Sequence, residues 1–365
     1  ARIDARRRTD TAYLEQTNSR REAVKRMFVH AWSGYEKYAF GHDEIRPVTN
    51  ATNDSWGGWG ATLVDALDTM MLMDLQPQVA RAREHVAQLD FDKDYKVSFF
   101  ETTIRYLGGL LGAYELSRDR VYLDKAKELG ERLAASFDST KLGLPQHEPS
   151  MDSCRCALPL NPQGSSILAE VGSSQLEFAY LAHHLNQSGL YNKSRRVYSV
   201  LHSLPREHPG THLSSRSTIG LYPVYVDGDR GDFSGGRISF GSLADSFYEY
   251  LLKLYLLSDK TDHDVVGMYA EAIDGLVDHM TRIKTHRPPQ QSQLSQGCTY
   301  SLHRSKEHLV CFVGGMVALG AVSVSATAVP AIQTEQFRLA ELLTYSCAET
   351  YFHTTTGLSP EAVQF

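Results

Sequence analysis

Residues 237–257 read Arg-Ile-Ser-Phe-Gly-Ser-Leu-Ala-Asp-Ser-Phe-Tyr-Glu-Tyr-Leu-Leu-Lys-Leu-Tyr-Leu-Leu. A Gly/Ser loop runs directly into an apolar helix. Asp245 falls in the first turn and Glu249 follows at i+4, so both carboxylates share one helix face. An acid in the first turn is explained by capping or by the helix dipole. A second acid one turn deeper, among Phe247, Tyr248, Tyr250, Leu251 and Leu252, has no such explanation. Two readings stay open for this stretch. Either Asp245 is a cap and Glu249 a solvated side chain, or both line a cleft where a buried carboxylate has a partner, a metal or a chemical task.

Outward from that stretch, 3.6-residue periodicity predicts helices over 12–38, 61–75, 78–90, 99–111, 121–137, 168–178, 190–203, 262–284 and 334–352, with a Gly/Ala-rich helix from His308. Strand signals are few. Leu221-Tyr-Pro-Val-Tyr-Val alternates before the turn Asp227-Gly-Asp-Arg-Gly, and Tyr300-Ser-Leu-His is a second candidate. Alternate helices open with polar residues, at Asp65/Asp68, Glu101/Arg105, Glu170/Glu177, Asp245/Glu249 and His308. This is a weak internal repeat with a period of roughly 50 residues or more. It predicts a layered array of helical hairpins whose polar helix starts converge on an acidic pocket. Unrelated first-turn acids would produce a similar pattern at any one helix, but not at five with Gly and aromatic residues around each.

Composition narrows the function. The chain has 365 residues, a formal charge of −6 and 42% hydrophobic residues, a globular profile without the basic face of a nucleic-acid binder. No apolar run reaches the roughly 18 residues of a membrane span, and the Arg-rich residues 2–8 read as a frayed terminus or the remnant of a stem. Glycosylation sequons at Asn50, Asn53, Asn186 and Asn192 favour a secretory compartment. The five cysteines, Cys154, Cys156, Cys298, Cys311 and Cys347, lack zinc-finger spacing.

Several motifs in order along the chain resemble those of the class I α-1,2-mannosidases, glycoside hydrolase family 47. They are Val29-His-Ala-Trp-Ser-Gly-Tyr, Gly41-His-Asp-Glu-Ile-Arg-Pro, Thr62-Leu-Val-Asp-Ala-Leu-Asp-Thr-Met and Phe100-Glu-Thr-Thr-Ile-Arg-Tyr-Leu-Gly-Gly-Leu-Leu. Ala169-Glu-Val-Gly-Ser-Ser-Gln-Leu-Glu-Phe, Asp245-Ser-Phe-Tyr-Glu-Tyr-Leu-Leu-Lys, His308-Leu-Val-Cys-Phe-Val-Gly-Gly-Met and Gly357-Leu-Ser-Pro-Glu complete the set.

The resemblance implies an all-α fold, an (α/α)7 barrel with minor β-hairpins in its loops, and residues 1–365 as a single catalytic domain. It implies inverting, calcium (Ca2+)-dependent removal of terminal α-1,2-linked mannose from high-mannose N-glycans. Such an enzyme would act as a monomer in the secretory pathway (the Golgi or ER lumen, or outside the cell), with any N-terminal membrane anchor lying outside this chain. The family's catalytic carboxylates fall on Glu101 and Asp245, either of which could be the general acid. Arg105, Glu170, Glu177, Glu249, His308 and Glu361 fall on substrate-binding positions, and the family's disulfide falls on Cys311 and Cys347. In the family, further helices follow the Gly-Leu-Ser-Pro-Glu turn and bring an Arg-Pro-Glu base and a calcium-ligating Thr. The expectation is therefore a barrel lacking about two hairpins, with no direct metal ligand in this chain. Leu243 resembles the Golgi and fungal members. The alternatives are a lectin-like glycan binder of the degradation-factor branch and a different (α/α) hydrolase.

Overall fold

A computed structural model describes residues 10–152, 165–205, 220–285, 298–302, 305–324 and 330–364. Residues 2–8, Cys154 and Cys156, and the 287–297 linker lie outside the described residues. Two compact units emerge, Ala1–Leu133 with Glu148–Cys156, and Ala134–His147 with Ala157–Phe365.

The first unit opens with helix α1 (Thr11–Tyr38). Asp10 caps it by accepting from the Tyr13 N–H, which satisfies one of the free donors at the helix start. A hairpin of β1 (Glu44–Arg46) and β2 (Ala51–Asn53) follows, pairing Ile45 with Thr52. Next come α2 (Ala61–Asp65), α3 (Leu67–Leu72) and α4 (Gln76–Ala87). The continuous helix expected over 61–75 is thus broken at Ala66, and Asp65 ends its helix rather than opening one. Helix α5 (Phe99–Glu101), capped by the Ser98 hydroxyl, runs into a π-turn (Thr102–Leu107), then α6 (Gly108–Ser117) and α7 (Arg120–Ala134). Trp59 anchors the core here, its ring edge-to-face with Phe91 at 5.2 Å and with Tyr106 at 5.7 Å.

In the second unit, β3 (Ser165–Ile167), β4 (Pro223–Asp227) and β5 (Asp232–Ile238) form an antiparallel sheet in that order. The Asp227 turn predicted from its Asp and Gly residues joins β4 to β5. Asp227 Oδ1 accepts from the N–H groups of Asp229 and Arg230 at 2.9 and 2.8 Å, a side chain standing in for a backbone turn. Helices α8 (Leu168–Gly172), α9 (Gln175–Leu185) and α10 (Ser188–Ser203) precede the sheet's last two strands. The helix expected across 168–178 is two helices, because the chain leaves helical geometry at Ser173 and Ser174.

Helix α11 (Asp245–Leu257) is the predicted apolar helix, and α12 (His263–Gly275) packs on it. The aromatic residues around α11 form one cluster, with Phe240 stacked on Tyr248 at 3.9 Å and Tyr222 edge-on to Phe247 at 4.9 Å. The helix expected to reach residue 284 stops earlier. A π-turn (Leu276–Met280) ends it, and β6 (Thr281–Thr285) pairs with β7 (Cys298–Leu302). The β-branched Thr281, Ile283 and Thr285 stand at alternate positions, a pattern that favours the pleated strand once a partner exists.

Strand β8 (Ser305–Glu307) leads through a 3-10 turn (His308–Cys311) to α13 (Phe312–Ser323), which packs along α14 (Pro330–Phe352). A disulfide joins Cys311 to Cys347 with 5.7 Å between Cα atoms, inside the range an unstrained bridge requires. Strand β9 (Ala362–Gln364) closes back on β8.

Candidate functional site

The first unit gathers acids around one guanidinium. Arg105 sits in the π-turn one helical turn after Glu101, and π-turns occur often at functional sites. Its Nε donates to Glu101 Oε2 at 2.8 Å and its Nη1 to Asp65 Oδ2 at 3.1 Å. Glu101 and Asp65 thus share the one guanidinium. Burial pushes the Asp65 carboxyl above its ordinary range. The Arg105 bond opposes this, and the charges of Asp68 and Glu101 add to it. The Trp56 ring lies against the same guanidinium, 5.1 Å from its carbon, a cation–π contact.

The second unit holds the remaining acids. Asp245 opens α11, its N–H bonded to the Gly241 carbonyl at 2.9 Å. Burial pushes its carboxyl up. The N–H groups of Ser246 and Asp245 itself oppose the shift, while the charges of Glu249 and Glu307 reinforce it. The loop before it is held in unusual geometry. Leu243 has φ 76°, a left-handed value rare for a branched side chain, and its carbonyl accepts from the Ala169 N–H at 3.0 Å. Glu307 clamps the same loop, accepting from the Ser242 N–H at 2.8 Å and from Arg237 Nη2 at 2.9 Å.

Glu249 pairs with Lys253 at 2.5 Å, one turn on. Glu170 meets His147 Nδ1 at 2.7 Å. Glu177 accepts from the Tyr250 hydroxyl at 2.9 Å, while its other oxygen is buried without a partner. Burial first, against that hydroxyl and the Lys253 charge, pushes the Glu177 carboxyl up to about 7. His308 Nε2 bonds the Tyr351 hydroxyl, and the His308 N–H donates to the Glu361 carbonyl at 2.8 Å, so Glu361 touches the histidine through backbone. The Glu361 side chain is exposed.

Glu101 and Arg105 therefore lie in the first unit, and Glu170, Glu177, Asp245, Glu249, His308 and Glu361 in the second. The sequence reading assigned no role to Asp43, Trp56, His147 or Glu307. Only Asp43 carried a signal, an acid ahead of a Trp-Gly-Gly-Trp-Gly loop whose N–H groups need an acceptor. Among the described residues no three His, Cys, Asp or Glu side chains stand close enough to hold a metal ion.

The glycosyl hydrolase family 47 profile matches residues 27–365. The chain belongs to that family. This family-47 chain is 38% identical over 349 residues to a mannosyl-oligosaccharide 1,2-alpha-mannosidase of Arabidopsis thaliana, covering 94% of itself and 58% of that relative. It is 36% identical over 351 residues to the human endoplasmic reticulum mannosyl-oligosaccharide 1,2-alpha-mannosidase, covering 95% of itself and 47% of that protein. The chain thus spans about half the length of the curated relatives it matches. Its fold is shared with the alpha-1,2-mannosidase from Trichoderma reesei, at a TM-score of 0.80 and 27% identity, over 95% of this chain and 71% of that one. The all-α, (α/α)7-type fold class expected from the sequence is the class of that family.

Proposed function

We propose that this protein hydrolyses terminal α-1,2-linked mannose from high-mannose N-glycans with inversion, as one catalytic domain in the secretory pathway. The observation that carries the reading is the Asp245 carboxyl, which opens α11 behind a left-handed Leu243 and is pushed up by burial and by Glu249 and Glu307. An inverting glycosidase needs one carboxyl that holds a proton for the leaving oxygen and another that activates water. A raised proton affinity suits Asp245 to the first task. Glu101, which accepts from the Arg105 Nε, is the other candidate. Glu170, Glu177, Glu249, His308 and Glu361 are proposed as groups that hold sugar hydroxyls.

Calcium enters this reading from the family resemblance alone, and calorimetric titration of the full-length protein with Ca2+ tests it. Among the described residues no helix is long and apolar enough to cross a membrane. The functional test is release of mannose from an α-1,2-linked mannobiose by the full-length protein, with an α-1,6-linked disaccharide as control. Asp245→Asn should cost about 10²–10⁴-fold in kcat. Glycan binding without release by the parent would overturn the enzyme reading in favour of a lectin. An unaffected Asp245→Asn variant would remove Asp245 from the chemistry.

A further inference from the structure

Asp43 is fully buried, yet no sequence argument gave it a role. Its carboxylate is among the most heavily donated groups in the described residues. Oδ2 accepts from the Trp56 and Gly58 N–H groups, both at 2.8 Å. Oδ1 accepts from Trp59 and Gly60 at 3.0 Å and from Ala61 at 3.1 Å. The Tyr106 hydroxyl completes the set at 2.6 Å. Burial, then the Asp43 charge, pushes the Tyr106 phenol far up, so it remains a donor. Five successive or near-successive N–H groups aimed at one carboxylate make an anion nest filled by the protein's own side chain.

That nest requires an unusual backbone. Gly57, Gly58 and Gly60 have φ of 105°, 69° and 83°. A Cβ on Gly57 would stand 2.3 Å from the Trp59 ring. The loop can wrap the carboxylate only because these three positions carry no side chain. Its outer rim is tied more lightly, by Tyr95 to the Ser55 carbonyl at 3.1 Å and by Lys93 to the Gly57 carbonyl at 3.2 Å.

The loop presents Trp56, whose N–H is on Asp43 and whose ring lies against Arg105. Arg105 in turn holds Glu101 and Asp65. Tyr106, the residue after Arg105, reaches back to Asp43. Asp43 is therefore bonded to both sides of the Trp56–Arg105 contact, to the loop through backbone and to the π-turn through the phenol.

We propose that Asp43 is a positioning residue for Glu101, fixing the Trp56 ring and the Tyr106 turn so that Arg105 orients the Glu101 carboxylate. This rests on the glycosidase reading above. Trp56 and Arg105 transmit the effect, and Asp43 itself touches no reacting atom.

The test uses the full-length protein and three variants. Asp43→Asn keeps shape but replaces one acceptor oxygen with a donor facing N–H groups. Trp56→Ala leaves the nest intact and removes the ring. Trp56→Phe keeps an aromatic face on the guanidinium. Two readouts are needed, kcat and KM on α-1,2-linked mannobiose, and the Nε–H NMR resonance of Arg105, assigned by its loss in Arg105→Lys. Misplacement of a catalytic group by about 1 Å costs up to about 10²-fold. Asp43→Asn and Trp56→Ala should lower kcat about 10- to 100-fold with KM changed only a few-fold, and both should shift the Arg105 resonance. Trp56→Phe should retain most of the parent kcat. If Asp43→Asn fails to fold, Trp56→Ala decides. Parent-like kcat and an unmoved Arg105 resonance in Trp56→Ala would overturn the proposal, as would a folded Asp43→Asn variant with parent kcat. A parent without turnover would sink the glycosidase reading, and the Arg105 resonance would still decide the positioning.

Discussion

Glu177→Gln offers a test that needs no substrate. One oxygen of Glu177 receives the Tyr250 hydroxyl, and the other is buried with no partner. The charged groups around it are few. Lys253, itself paired with Glu249, favours the ionised form weakly, and the Tyr250 and Tyr198 phenols are both held neutral by burial first. The carboxyl consequently rises from an ordinary 4.5 to about 7. A carboxyl whose folded value lies above its unfolded one binds its proton more tightly in the fold. Between about pH 4.5 and 7 the native state then holds more protons than the unfolded chain, so stability falls as pH rises through that window. At about 1.4 kcal/mol per pH unit, the loss between pH 4 and pH 8 approaches 3 kcal/mol.

Gln has the same shape and cannot titrate. Urea unfolding of the parent and of Glu177→Gln, run at half-unit steps from pH 4 to pH 8, measures the difference. The variant should match the parent to within about 1 kcal/mol at the acid end. It should be the more stable by up to about 3 kcal/mol at the alkaline end, with the change centred below pH 7. A difference that stays flat across the whole range would refute the reasoning. It would mean that the unpartnered oxygen is solvated well enough to ionise normally.

Two further outcomes follow from packing. Cys347→Ser opens a loop spanning 36 residues, and should lower stability by about 3–4 kcal/mol in urea; a parent whose unfolding midpoint does not move under reductant would contradict this. Arg195 donates to Asp262 through both Nε at 2.7 Å and Nη2 at 2.8 Å, with both side chains largely buried. Arg195→Met should cost about 3 kcal/mol by stranding the carboxylate, and the Arg195→Met/Asp262→Leu double variant should recover much of it. Thermal midpoints of the three proteins decide whether the pair couples.

The helices were legible because their apolar stripes are local. The organising helix 245–257 emerges with the bounds its periodicity implies, and the Asp227 turn with the residues its composition implies. The misreadings concern interactions over distance. Residues 281–285 directly continue a helix in the sequence, yet become a strand because Cys298–Leu302 supplies the ladder. No window short enough to read periodicity contains both segments. The break at Ser173 and Ser174 was equally hidden, since Ser173 bonds the Ser246 hydroxyl at 2.8 Å, 73 residues away. Acids at helix starts could be read from the sequence as candidates, but their partners could not. His147 on Glu170 and Glu307 on the loop before Asp245 come from other parts of the chain.

The distribution of donors explains why these carboxyls differ so much in character. Asp43 receives five bonds from the backbone wrapped around it and a sixth from the Tyr106 hydroxyl, and Asp262 receives a two-pronged guanidinium that holds it below its ordinary range against the cost of burial. Asp245 is only half-buried, with two backbone N–H groups opposing the effect of burial and Glu249 and Glu307 adding negative charge nearby. Glu177 has one hydroxyl. Burial penalises every charged form, so the number and charge of donors decides which acids stay ionised and which take up a proton. The saturated acids hold backbone in place, and Asp43→Asn should be felt first as altered geometry. Of the under-donated acids, Glu177 is pushed up to about 7 and the Asp245 carboxyl is raised by burial, a shift in the direction general acid catalysis requires. A Glu307→Gln change, which keeps an acceptor for the Ser242 N–H while removing one nearby charge, should therefore lower the Asp245 proton affinity. If Asp245 is the proton donor, the acid-side and alkaline limbs of the kcat profile will separate the two effects, with only the alkaline limb moving to lower pH.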